Sequence, residues 1–287
     1  MTAPAAPRTA QTRRIRIGHS PDSDDAFMFY GLASGHVTAP GLQFEHVLED
    51  IQTLNDWARE GRLESTAISV HAYAYVTERY ALLAHGASMG EGWGPMVVAR
   101  RPMDADALRG LRIAVPGLLT SAYLELRLAV PDFEAVAMDF KAIEDAVLRG
   151  EVEAGLLIHE GQLTHSERGL HAVLELWTWW RELTGLPLPL GANAIRRDLP
   201  VQVQQEVSAA MRASIEYALK NRSEALAHAM QYARDLPIEL ADRFVGQYVN
   251  ERTLDLGEDG RAAYQELLDR GAAAGLVPTV GRLDFVQ

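Results

Sequence analysis

His159 is the side chain best placed for proton transfer. It closes the run Ala154-Gly-Leu-Leu-Ile-His, whose apolar character is that of a buried strand, and α/β proteins build ligand sites at strand C-termini. Imidazole has the side-chain pKa nearest neutrality, so a neutral histidine there could act as general base. A structural histidine hydrogen-bonded to a loop accounts for the same position, and both readings stay open on position alone. His159-Glu160 begins like a zinc-protease motif, but Leu163 occupies the place of the second ligand and His165 lies six residues on. No zinc site is expected.

Polar groups recur at other strand-to-helix junctions. Ser69 ends the strand-like Thr66-Ala67-Ile68-Ser69 and could bond a ligand or cap the helix that follows. Thr120-Ser121-Ala122-Tyr123 follows a Val-Pro-Gly turn, so its hydroxyls and backbone N–H groups would open a helix. Such an N-terminus attracts carboxylates without lysine or arginine. Capping explains each hydroxyl more simply; their occurrence in two separate regions points to a cleft. Asn55, taken singly, reads as an ordinary helix residue. Asp22, Asp24 and Asp25 could hold magnesium, but one acidic loop without a phosphate motif fits a helix start better. Trp177, Trp179 and Trp180 read as core or hinge packing rather than as a stacking platform.

Composition removes other chemistries. With no cysteine in 287 residues, disulfide scaffolds, cysteine-ligated metals and thiolate nucleophiles are excluded. The two lysines, Lys141 and Lys220, stand in polar helical contexts unsuited to Schiff-base chemistry. No Gly-rich phosphate loop, dinucleotide fingerprint or Gly-x-Ser-x-Gly elbow occurs. A net charge of −12 without a basic stripe argues against nucleic acid as a partner. No apolar stretch is long enough for membrane insertion, and no secretory core is visible in the first residues. The expectation is a cytoplasmic protein acting on a small molecule.

The elements that would position these residues alternate. Strands are expected from Arg13, over 42–47, 66–70, 96–100, at 112, and over 134–138 and 154–159. Helices are expected at 26–32, 49–60, 71–79, 120–129 and 141–149, and nearly everything after Leu199 reads as helix. This predicts two α/β lobes with the ligand cleft between them: a disordered tail over 1–14, a large lobe from 15–102 plus 191–287, and a small lobe from 103–190.

Collinear segments carry a resemblance. SPDSDDAFMFY (20–30), EDIQTLNDWAREGRL (49–63), ISVHAYAYV (68–76), GWGPMVVAR (92–100), VPGLLTSAY (115–123), GEVEAGLLIHE (150–160), TGLPLPLGANAIRRDL (184–199) and YVNERTLDLGE (248–258) resemble the 1,4-dihydroxy-6-naphthoate synthase family of the futalosine route to menaquinone. The resemblance covers nearly everything after residue 14. It implies a two-lobed, periplasmic-binding-protein-like (type II) fold used as a cytosolic lyase. The substrate would be cyclic dehypoxanthine futalosine, converted to 1,4-dihydroxy-6-naphthoate with loss of a three-carbon fragment and without a cofactor or metal. It implies His159 as proton acceptor, and substrate contacts at Asn55, at Ala67, Ile68 and Ser69, and at Ser121 and Ala122. Some members carry lysine where this chain has Ala67, so a contact there would come from the backbone; Asp24 stands where many have asparagine. Chorismate dehydratase, a sister enzyme sharing the fold, and a small organic-acid binding protein are the alternatives. The Leu-Leu-Ile-His-Glu and Pro-Leu-Pro-Leu-Gly runs favour the naphthoate synthase.

Overall fold

The computed structural model describes residues 12–233 and 236–287. The expected tail over 1–14 lies outside the described residues as far as residue 11, while Arg13 and Arg14 already belong to the first strand. The strands are β1 (Arg13–His19), β2 (Leu42–Leu48), β3 (Ser65–Ser69), β4 (Tyr80–Leu83), β5 (Ser88–Gly90), β6 (Met96–Ala99), β7 (Arg112–Val115), β8 (Glu134–Ala137), β9 (Ala154–Leu157), β10 (His171–Glu175), β11 (Leu188–Arg196) and β12 (Phe285–Val286). They form two sheets. The first runs β12-β4-β11-β3-β1-β2, with β5 also paired to β11; the second runs β10-β6-β9-β7-β8.

Local chemistry explains the elements that matter for the site. In β1 the apolar Ile15 and Ile17 are fully buried, which fixes its face. Helix Ile51–Glu60 starts at Asp50, whose side chain accepts from Thr53 N at 3.1 Å, and ends on left-handed Gly61. It buries Leu54, Asn55 and Ala58. Every residue of β9 is buried, as expected of a central strand covered on both faces.

β1 is parallel to both β2 and β3, and β7 to both β8 and β9. The C-terminal ends of β1, β3, β7 and β9 deliver Ser20, Ser69, the Thr120 turn and His159 to a common space between the sheets. That is where open α/β sheets bind ligands. Strands β6 and β11 run antiparallel to their neighbours and carry the chain between sheets.

Several elements differ from expectation. β6 pairs with β9 and β10 in the second sheet, although the sequence division assigns residues through 102 to the large lobe. β11 joins the first sheet from Leu188, three residues before the expected return at 191. An apolar run such as Met-Val-Val-Ala announces a buried strand without saying which sheet it enters. The helix expected over 71–79 is one turn, Val70–Tyr73, continued by i→i+3 backbone bonds through Val76. The Trp-containing segment forms helix Leu176–Thr184; Trp180 is fully buried and donates Nε1–H to Pro187 O at 2.9 Å. The main core runs through Trp180 from Ile68 and Ala194 of the first sheet to Val97 and Leu156 of the second. Core packing, the expected reading of this cluster, is its role.

Candidate active site

A cleft of about 750 Å³, open mouth included, lies between the sheets, within the range of small-molecule sites. Its first wall comes from Ser20, Asp22, Asp24 and Asp25 after β1, Ala67–Ser69 of β3, Leu190–Asn193 of β11, and Phe244 and Tyr248 of helix Ile238–Tyr248. Its second wall comes from Thr120, Ser121 and Ala122 and from Ile158 and His159. Six of the seven expected site residues therefore share one cleft. Asn55 stands behind the wall: it is fully buried, its Nδ2 donates to Ser69 Oγ at 2.9 Å, and its Oδ1 accepts from Ser69 N at 2.9 Å. In this conformation it fixes Ser69 rather than lining the cleft.

His159 is 14% exposed at the side chain, and its Nδ1 lies 3.6 Å from Asp22 Oδ2. The Phe140 ring packs against the imidazole with centroids 4.1 Å apart, restricting its rotation. Asp22 is the N-cap of helix Ser23–Met28, accepting from Asp25 N at 3.4 Å, and Asp25 accepts from Ser20 N at 2.7 Å. The helix-start role expected of this loop is thus present. The carboxylate oxygens of Asp22, Asp24 and Asp25 also lie within 4.8 Å of one another, and backbone N–H groups already engage two of the three side chains.

Burial sets the electrostatics. The Asp22 carboxyl is held well above the usual range, first by desolvation and then by Asp24, Asp25 and Glu160. Asp25 is pushed up to about 8 by desolvation and by Asp24, against the stabilising Ser20 N–H. Glu160 is buried beside them and accepts from Ser23 Oγ at 3.5 Å. Burial thus opposes ionisation of Asp22 and Asp25, and a cation formed beside them would favour it.

The opposite wall presents a helix N-terminus. Thr120 caps helix Ser121–Ala129 by accepting from Tyr123 N at 3.2 Å, while Ser121 and Ala122 begin the helix at the cleft wall. Ser121 Oγ donates to Leu190 O and accepts weakly from His71 N at 3.4 Å. His71 Nδ1–H donates to Thr120 O at 3.1 Å, and burial lowers its pKa to about 4, so it remains a neutral strap. Gln52 Oε1 accepts from Leu119 N at 2.9 Å, and Tyr248 Oη donates to Gln162 Oε1 at 2.9 Å. These bonds tie the lobes around the cleft.

Sequence reasoning missed three residues of this site. Asp22 is read there only as a cap or metal ligand, because its proximity to His159 spans more than a hundred residues. Tyr248 carries no local signal at all. Asn193 does carry one: it is a lone amide inside the apolar run Ala192-Asn-Ala-Ile.

Just behind this wall, His19 ends β1. Its ring stacks on Phe29 and its Nε2 lies 3.0 Å from His46 Nδ1. Burial, then His46, lowers its pKa to about 3. The unfolded chain therefore binds the proton first, and stability is lost as pH falls from about 6.5 toward 3. Denaturant unfolding at pH 6.5 and 5 should show His19→Gln losing about 1–2 kcal/mol less stability than wild type over that interval. Equal losses in the two proteins would refute this assignment.

Comparison with known proteins agrees with the fold. A family model described as menaquinone biosynthesis matches residues 15–273. The 1,4-dihydroxy-6-naphtoate synthase of Thermus thermophilus is 45% identical over 272 residues, 95% of this chain and 99% of its own. The crystal structure of protein AF1704 from Archaeoglobus fulgidus superposes with a TM-score of 0.89 at 51% identity, covering 94% of this chain and 100% of that one. At 16% identity, the Candida albicans CA3427 product, described as having the generic periplasmic binding protein fold, superposes with a TM-score of 0.72 over 96% of this chain and 98% of its own. That likeness establishes a periplasmic-binding-protein-like architecture. Among the described residues no helix is long and apolar enough to cross a membrane. Matched along almost its whole length, the chain belongs to the menaquinone-biosynthesis family of 1,4-dihydroxy-6-naphthoate synthases.

Proposed function

We propose that the protein is a carbon–carbon lyase converting cyclic dehypoxanthine futalosine to 1,4-dihydroxy-6-naphthoate, with His159 as the proton acceptor. The observation that carries this reading is the convergence of His159, Ser69 and the Ser121–Ala122 helix start on one cleft. With Nδ1 turned to Asp22, Nε2 is the ring nitrogen assigned to the substrate. It removes an acidic proton next to a carbonyl, and the electron pair moves into an enolate. The enolate is reprotonated to a ketone beta to a ring-bound hydroxyl. That hydroxyl loses its proton and becomes a carbonyl as the carbon–carbon bond to the sugar-derived fragment breaks, the bond's electron pair leaving as the fragment's enolate, which is then protonated. Tautomerisation to the aromatic naphthoate ring favours the products. The helix N-terminus at Ser121 and Ala122 holds negative charge on the substrate without any basic side chain. Ser69, held by Asn55, orients a substrate oxygen. The reading also places the enzyme in the cytoplasm, where nucleoside-derived intermediates arise.

Purified protein incubated separately with the cyclic futalosine derivative and with chorismate tests this directly. Naphthoate absorbance should rise with the first and chorismate should persist unchanged. Consumption of chorismate, or absence of naphthoate, would overturn the assignment.

A further inference from the structure

Asn193 is a cleft residue whose amide nitrogen is held while its amide oxygen is left over. It is 1% exposed. Its register partner across the strand pair is Ala67, as Gly191 is to Ser69, so all four lie on the same face of the first sheet. Ala67 and Ser69 are cleft residues, and Asn193 stands with them in the wall. The amide Nδ2 donates to Gly86 O at 2.9 Å, which decides the flip: reversing it would bring two carbonyl oxygens together. Oδ1 then has no hydrogen-bond partner among the described residues.

Gly86 explains how the amide comes so close. It has φ +81°, and a Cβ there would collide with Asn193 Nδ2. Glycine is thus required twice, by its backbone conformation and by the packing of the amide. Buried polar atoms in native proteins are nearly always satisfied, so a neutral amide oxygen left over in the wall of a binding cleft points to a ligand atom.

We propose that Asn193 is a specificity residue, accepting a hydroxyl of the substrate's sugar-derived portion through Oδ1. This rests on the lyase reading above and adds an orientation to it. An amide oxygen accepts from O–H or N–H and repels carboxylate and ketone oxygens. The anionic end of the substrate belongs instead at the helix start of Ser121 and Ala122, on the other lobe. The substrate then spans the cleft, with its hydroxyl-bearing end on the first sheet and its carboxylate on the second.

The test compares wild type with N193L on two compounds, the cyclic futalosine derivative and an analogue lacking the sugar hydroxyls. If wild type does not turn over the parent compound, the lyase reading fails and not this assignment alone. If it does, N193L should raise KM for the parent roughly 5- to 100-fold, the cost of an unanswered hydrogen bond, with kcat changed less than about threefold. The two proteins should bind the deoxygenated analogue, assayed as a competitive inhibitor, with the same inhibition constant. An unchanged KM for the parent, or an equal rise for both compounds, would overturn the proposal. Should N193L not fold, Asn193→Ala, which removes the amide without adding bulk, must show the same split.

Discussion

His159→Ala is expected to lower kcat at least about 10³-fold while leaving substrate affinity within about threefold. General-base catalysis contributes roughly 10²–10⁴-fold. Of the side chains against His159, Asp22 has a buried carboxyl that favours the protonated form and Phe140 is a hydrocarbon ring, so neither replaces the base. Affinity should survive because Ser69 and the Ser121 helix start belong to other elements and do not depend on the imidazole. Single-turnover kinetics with equilibrium binding by fluorescence or calorimetry separates the two quantities. A variant with near-normal kcat would remove His159 from the mechanism. Equal losses in binding and turnover would make it a structural histidine, the reading that its sequence position leaves open.

How the sequence exposed this site, and where it fell silent, follows from the range of the interactions involved. His159, Ser69 and Ser121 are visible because each ends or follows a strand, and that position is written locally in apolar runs and turn residues. The helix caps at Asp50, Thr120 and Asp22 are local for the same reason. Asn55 was legible through resemblance, but its task was not. Nothing in a helix pattern says that both ends of the amide are taken by Ser69, fourteen residues on. The sheet membership of β6 and the pairing of Asp22 with His159 are decided by chain segments far apart in sequence. A single sequence carries no record of either.

The opening chemistry also gains a counterpart in charge. The chain bears −12 overall, and four acidic side chains, Asp22, Asp24, Asp25 and the adjacent Glu160, stand at the cleft. An anionic substrate would be repelled by such a wall if every group were ionised. Desolvation resolves part of the conflict by holding Asp22 and Asp25 toward their neutral forms. The other part is geometric, since the helix start that attracts anions lies on the opposite wall.

Asp22→Asn is expected to slow kcat about 10- to 100-fold and to stabilise the protein at the same time. When His159 takes the proton, its new charge sits 3.6 Å from Asp22 Oδ2. The imidazolium then supplies the counter-ion that lets the buried Asp22 carboxyl ionise, and the carboxylate in turn stabilises the new positive charge. Asparagine keeps the cap on helix Ser23–Met28, since both side chains accept from the first-turn N–H groups, but it cannot supply that charge. The pH at which kcat/KM falls off on the acid side should therefore move downward, a change that loss of a cap alone would not produce. Stability carries the opposite sign. A carboxyl whose folded pKa lies above its unfolded value contributes stability below the unfolded pKa, near 3.8, and loses it as pH rises toward the folded value. Asparagine has no such loss, so melting temperatures of variant and wild type should coincide near pH 4 and diverge in favour of the variant by pH 8. A variant that is slower but no more stable at pH 8 would show that the carboxylate cluster is not strained. One that is stabilised with full activity would show that His159 works without Asp22. Finding both effects together would identify the cleft as a place where folding stability is given up for a charge the reaction needs.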